Sequence, residues 1–183
     1  MNAVFSWFPI TFAFSWGRFF APCLKLMDNA SQIPCHLPID DLMTNPKTIV
    51  YEFTVSFGDC DPAGIVFYPN YSRWMDASSE NFFRGCGLPP WRELEKTTGI
   101  IGTPLLEIRN RFVQPASYGQ TLQIHTHVAE WRGKAFIQNH RVMRGIDLIC
   151  EGQETRIFCI KHPEIANKIK AIQLPEDIKL MCS

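Results

Sequence analysis

No C-x-x-C pair occurs among the seven cysteines, Cys23, Cys35, Cys60, Cys86, Cys150, Cys159 and Cys182, which argues against a zinc ribbon or a dithiol redox site. Their odd number fits a complete disulfide framework poorly, so free, mostly buried thiols in a reducing, cytoplasmic compartment are expected. Neither sign of charge is in excess. The 18 Lys and Arg balance 18 Asp and Glu, so nothing global draws the chain to nucleic acid or an anionic membrane. No Gly-x-Ser-x-Gly elbow is present, which weakens any serine hydrolase reading. His36, His125, His127, His140 and His162 have no recognised ligand spacing, and His125 with His127 would supply only two ligands from one strand face. Neither a metal nor a cofactor is therefore expected. Long clean apolar runs are also missing. Phe5, Trp7, Phe8, Phe12, Phe14, Trp16, Phe19 and Phe20 crowd the start, but Pro9, Gly17 and Arg18 interrupt them short of the roughly 20 residues of a membrane span. Residues 1–7 carry no basic residue to open a secretory signal.

What remains is a chain of 183 residues suited to one folded domain. Pro34, Pro38 and Pro46 mark residues 29–47 as a linker or a disordered stretch, so residues 1–47 read as an extension and 48–183 as the domain. For the natural protein, translation from Met27 or Met43 is expected.

The domain is organised around residues 57–71, which join a strand to a helix. Val50, Phe53 and Val55 among Tyr51, Glu52, Thr54 and Ser56 predict a strand over 49–56. Tyr71, Trp74, Met75, Ser78 and Phe82 recur at helical spacing, with Arg73, Asp76, Glu80 and Arg84 on other faces. Gly85 and Gly87, followed by Pro89 and Pro90, end that helix. Its first N–H groups lack intrahelical acceptors, so they and the helix dipole can polarise a carbonyl oxygen. A carboxylate in the preceding loop, Asp61, would then attack that carbonyl or activate water, which is acyl-transfer chemistry. By spacing alone, Asp59 and Asp61 serve equally well as capping residues of a turn. Cys60 is read as incidental, because no histidine is tied to it.

Further along, a helical turn is expected over 91–96, an extended stretch from 99 to 104, and strands over 105–113, 121–131, 135–144 and 148–161. Leu122, Ile124, Thr126 and Val128 alternate with Thr121, Gln123, His125 and His127, giving one buried and one polar face. Short breaks make these strands antiparallel neighbours. The fold class is α+β, with about five strands wrapped around one long helix.

Residues 57–71, together with Gly85-Cys86-Gly87-Leu88-Pro89-Pro90-Trp91-Arg92, Gly102-Thr103-Pro104 and Trp131-Arg132-Gly133-Lys134, resemble the 4-hydroxybenzoyl-CoA thioesterases of the hotdog-fold superfamily. The likeness runs from about residue 49 to the C-terminus. It implies a hotdog domain that hydrolyses an aromatic acyl-CoA in aromatic compound degradation. It also implies a homodimer with the active site between subunits, and dimers pairing into a homotetramer. By the same resemblance Asp61 is the catalytic carboxylate, nucleophile or general base, and the Tyr68 N–H polarises the thioester carbonyl. Asp76 accepts the substrate phenol, while Trp91, Thr103, Pro104 and Leu105 border the acyl and pantetheine pocket. Arg132, Lys134 and Lys170 match the nucleotide contacts. The chain departs from the family where an Arg-Arg-Lys run reads Arg132-Gly133-Lys134, and where Lys170 replaces an arginine, which loosens the expected phosphate grip. Two other readings are a short-chain acyl-CoA or acyl-carrier-protein thioesterase, and a non-catalytic acyl-CoA-binding hotdog protein.

Overall fold

The computed structural model describes residues 46–183. Met27, Met43, Cys23, Cys35 and all of the expected extension before Pro46 lie outside the described residues. The elements are β1 (Ile49–Thr54), α1 (Pro69–Gly85), α2 (Trp91–Thr98), β2 (Ile100–Gly102), β3 (Leu105–Phe112), β4 (Thr121–Arg132), β5 (Ala135–Arg144), β6 (Asp147–Ile157), β7 (Cys159–Lys161), β8 (Ile169–Ala171) and α3 (Glu176–Cys182). Five strands form one antiparallel sheet in the order β1-β4-β5-β6-β3, and α1 packs on its inner face. This is the expected α+β hotdog arrangement.

Local chemistry accounts for the ends of α1. Pro69 occupies its first turn, where a missing N–H costs no helical bond. At the other end Gly87 adopts φ 98°, the Leu88 N–H donates to the Phe83 carbonyl at 3.1 Å and the Gly87 N–H to that of Arg84 at 2.9 Å. These are the two bonds of a Schellman stop, which favours glycine at the left-handed position. Tyr71, Trp74, Met75, Ser78, Ser79, Phe82 and Phe83 face inward, matching the predicted apolar stripe and adding Ser79 and Phe83.

The expected single strand over 148–161 is broken. Phe158 is buried against Phe83 and Phe136, and its carbonyl accepts the Ile172 N–H at 3.0 Å. The change of partner ends pairing with β5 and passes β7 into a second sheet, β2-β7-β8. β8 and α3 were not expected. Three-residue strands carry too little periodicity to register, and so does a helix of only seven residues.

The core is divided. Tyr71, Trp74 and Met75 of α1 join Leu122, Ile124, Val142 and Cys150 in one apolar cluster, while Phe82 and Phe83 join Val128, Phe136 and Phe158 in another. Four elements contribute polar groups to the buried interior: Ser78 and Ser79 from α1, Thr126 from β4, Gln138 and His140 from β5, and Glu154 and Arg156 from β6. Gly152 of β6 lies against Met75 of α1, where an added Cβ would run into Met75 Sδ. Gly152→Ala is therefore expected to lower stability by about 1–3 kcal/mol through overpacking, read as a reduced midpoint in urea unfolding.

Among the described residues no helix is long and apolar enough to cross a membrane.

Candidate active site

The loop between β1 and α1 is held at both flanks. Asp59 Oδ2 accepts the Ser56 N–H at 2.9 Å and Oδ1 accepts Arg73 Nη2 at 2.8 Å, while its carbonyl takes the Phe67 N–H and Asn70 Nδ2. Asp59 is thus buried and fully engaged as a brace. Asp61 sits differently. A small hairpin closes around it through the Cys60–Val66 bridge, a 2.9 Å bond from the Asp61 N–H to the Ile65 carbonyl, and Gly64 at φ 77°. Its Oδ1 accepts the Ala63 N–H at 2.8 Å, and its Oδ2 has no partner among the described residues. The side chain is oriented by one oxygen and half-buried, with the other oxygen free to react.

At the start of α1 the expectation of several free N–H donors is corrected. The Asn70 N–H donates to the Phe67 carbonyl at 3.0 Å and that of Tyr71 to Tyr68 at 3.3 Å, since the chain winds in tighter bonds there, while Pro69 has no N–H. This leaves the Tyr68 N–H, which finds no acceptor among the described residues, as the open donor of that turn. The Tyr68 ring is 65% exposed and lies against Phe67. Burial pushes the neighbouring Tyr71 phenol up to about 12, so it stays protonated and is no base at neutral pH.

The expected acyl-pocket residues come together elsewhere on the chain. Asp76, Trp91, Thr103, Pro104 and Leu105 line one cavity of about 360 Å³, completed by Ser79, Glu80, Ile101, Gly102, Arg156 and Ile169. Asp61 and Tyr68 do not line it. Arg132 and Lys134 lie apart at the β4–β5 hairpin, where Gly133 at φ 54° makes the tight turn. The Arg132 fork is engaged by Glu130, Nε to Oε1 at 2.5 Å and Nη2 to Oε2 at 2.6 Å. Lys170 is exposed on β8 beside Ile169 of the cavity wall.

Sequence reasoning missed the residues behind Asp76. Arg156 Nη2 donates to Asp76 Oδ1 at 2.6 Å, Nη1 to the Thr103 carbonyl at 2.9 Å and Nε to Glu154 Oε2 at 2.8 Å. Glu154 Oε2 is also 3.2 Å from His140 Nε2, and His140 Nδ1 is 2.8 Å from Thr126 Oγ1, itself 2.7 Å from Ser78 Oγ. Burial opposes ionisation of Glu154, but hydrogen bonds from His140 and Arg156 outweigh it and hold the carboxyl below its ordinary range. Burial likewise opposes the Arg156 charge, and its pairing with Glu154 and Asp76 outweighs it in turn. The signal was present in the strand alternation, which puts Thr126 in the buried register with Leu122, Ile124 and Val128. A polar group there requires buried partners.

Comparison with known proteins adds the following. The sequence model of the Thioesterase-like superfamily matches residues 55–180. The chain is 43% identical over 142 residues to the 4-hydroxybenzoyl-CoA thioesterase of Pseudomonas sp. (strain CBS-3), covering 75% of this chain and 99% of that protein. Among solved structures, a 4-hydroxybenzoyl CoA thioesterase, an aspartate-to-asparagine mutant complexed with 4-hydroxybenzoyl CoA, superposes with a TM-score of 0.70 at 42% identity, covering 74% of this chain and 99% of the other. A gentisyl-coenzyme A thioesterase superposes with a TM-score of 0.62 at 32% identity, covering 73% and 98%.

Proposed function

The chain belongs to the thioesterase-like superfamily, and on that premise we propose that it hydrolyses an aromatic acyl-CoA, 4-hydroxybenzoyl-CoA, to the free acid and CoA. The observation that carries the aromatic preference is the cavity that gathers a carboxylate, Asp76, with the indole of Trp91 and the Thr103-Pro104-Leu105 wall. A ring fits between the apolar walls, and a phenol gives Asp76 a hydrogen bond that an unsubstituted ring would not.

In this reading the thioester carbonyl oxygen takes the Tyr68 N–H, and the developing oxyanion is stabilised there and by the helix dipole. Asp61 Oδ2 attacks the carbonyl carbon or takes a proton from the attacking water. Either way the carbon–sulfur bond breaks and CoA leaves as its thiolate. After direct attack a water then cleaves the Asp61 mixed anhydride to release the acid, and after attack by water the proton on Asp61 passes to the thiolate or to solvent. Lys134, Lys170 and the Arg132 nitrogen that Glu130 leaves open, Nη1, receive the nucleotide phosphates, Lys170 being the chain neighbour of Ile169 in the cavity wall.

Because Asp61 and Tyr68 stand outside the Asp76 cavity, the working site is assembled with a second copy of the chain. Support comes from β3, which pairs only with β6 among the described strands and exposes Leu105, Leu106 and Phe112, the last sharing a groove with exposed Ile65 and Val113. An apolar sheet edge of this kind favours a symmetric dimer, and pairs of dimers give the tetramer. Cys60, Cys86, Cys150, Cys159 and Cys182 are free thiols, which suits a reducing, cytoplasmic setting.

Asp76→Ala tests the specificity. Its kcat/KM for 4-hydroxybenzoyl-CoA should fall by about tenfold to a hundredfold, with a much smaller change for benzoyl-CoA. Equal loss on both substrates would remove Asp76 as the phenol acceptor and favour an aliphatic acyl group. Thioester binding without release of free thiol would favour the acyl-CoA-binding protein instead.

A further inference from the structure

We propose that Arg156 is a specificity-determining positioning residue, which fixes Asp76 in the wall of the acyl cavity and sets the cavity's width. The inference rests on the reading of Asp76 as phenol acceptor and extends it to a residue 80 positions away in sequence.

Three donors of one guanidinium reach three separate elements. Nη2 holds Asp76 of α1, Nη1 holds the Thr103 carbonyl in the β2–β3 connection, and Nε holds Glu154 within β6. Asp76, Thr103 and Arg156 all stand in the lining of the same cavity, so the fork ties one part of its wall to another. The Arg156 side chain is only 5% exposed while that of Asp76 is 69% exposed. The fixed partner is therefore the arginine, and the carboxylate is the end presented outward. Asp76 Oδ1 is committed to Arg156, and Oδ2 has no partner among the described residues, leaving one oxygen for a ligand donor.

Behind the fork donors and acceptors alternate along a buried chain, with Glu154 Oε1 left without a partner among the described residues. With its proton on Nε2, His140 donates to Glu154 Oε2 and accepts the Thr126 hydroxyl at Nδ1, and Thr126 accepts the Ser78 hydroxyl. Ser78 lies on α1, the helix that carries Asp76. The path thus leaves α1 at Ser78, crosses three strands and returns to α1 at Asp76, anchoring the guanidinium from behind. A planar fork with this many directed donors is what arginine supplies and lysine does not.

The test compares 4-hydroxybenzoyl-CoA with benzoyl-CoA in full-chain variants, using the ratio of their kcat/KM values. Arg156→Lys keeps the charge and loses the fork, and it should lower that ratio by about fivefold or more. In an Asp76→Ala background the same change should leave the ratio where Asp76→Ala already put it. If Arg156→Lys slows both substrates equally, or still changes the ratio without Asp76, the inference is overturned. If the unaltered chain does not prefer the phenolic substrate, or Asp76→Ala leaves its preference intact, the phenol reading has failed and the inference falls with it. A selective loss in Asp76→Ala without one in Arg156→Lys rejects the role of Arg156 alone. Should Arg156→Lys fail to fold, Glu154→Met with Arg156→Met removes both buried charges together, and the same ratio decides.

Discussion

Asp61→Asn is expected to reduce thioester turnover by about a hundredfold to ten-thousandfold, with the fold and the oligomer retained. The substitution isolates reactivity from structure. An asparagine oxygen still accepts the Ala63 N–H that Asp61 Oδ1 accepts at 2.8 Å, so the loop keeps its shape. What disappears is the second carboxylate oxygen, which alone is free to attack a carbonyl or deprotonate water. Asp59→Asn provides the contrast. Asp59 is consumed by Ser56 and Arg73, so weakening those bonds should appear first as a loss of stability. Near-normal turnover in Asp61→Asn, measured by release of free thiol, would remove Asp61 from the reaction centre.

Glu154→Ala carries the largest expected effect on stability, a loss of about 3–5 kcal/mol, because it removes the buried partner of the His140 ring and leaves the buried Arg156 charge only the exposed Asp76 carboxylate. The effect has a defined pH dependence. Glu154 titrates below an ordinary glutamate in the folded protein, so its contribution is fully present above the unfolded value of about 4.3. It is lost as pH falls through the lower folded value. The difference in unfolding free energy between the parent and Glu154→Ala should therefore be constant near neutrality and narrow only under acid conditions. A gap that widened toward low pH would contradict the burial of an ionised Glu154.

The features legible in sequence were those carried by neighbours along the chain. The α1 stripe, the glycine stop at Gly87, the alternation of β4 and the short hairpins all rest on local spacing, and the structure places them as expected. Asp59 and Asp61 could not be separated by spacing, since both fall in one turn. Their difference is tertiary, set by Arg73 a further helical turn along and by the closure of Cys60 on Val66. The seam behind Asp76 was less accessible still. Read singly, Thr126, His140, Glu154 and Arg156 are ordinary strand residues, and they become a connected set only in the register Thr126↔His140 and Gln138↔Glu154. The transfer of β7 to a second sheet was hidden for the same reason, because its partner Ile169–Ala171 lies beyond an intervening loop.

The Asp76 cavity and the Asp61 loop describe two halves of one chemistry. Asp61 and the Tyr68 N–H supply reaction with a thioester, whereas Asp76, held by Arg156, supplies the choice of acyl group. The measurement that bears on both is free-thiol release by the full chain with 4-hydroxybenzoyl-CoA, benzoyl-CoA and a short aliphatic acyl-CoA under identical conditions. A kcat/KM for the phenolic substrate at least about tenfold above the other two is predicted, as one hydrogen bond to a charged acceptor provides. Equal or aliphatic-biased hydrolysis would contradict the aromatic assignment, and binding of all three without thiol release would contradict catalysis itself.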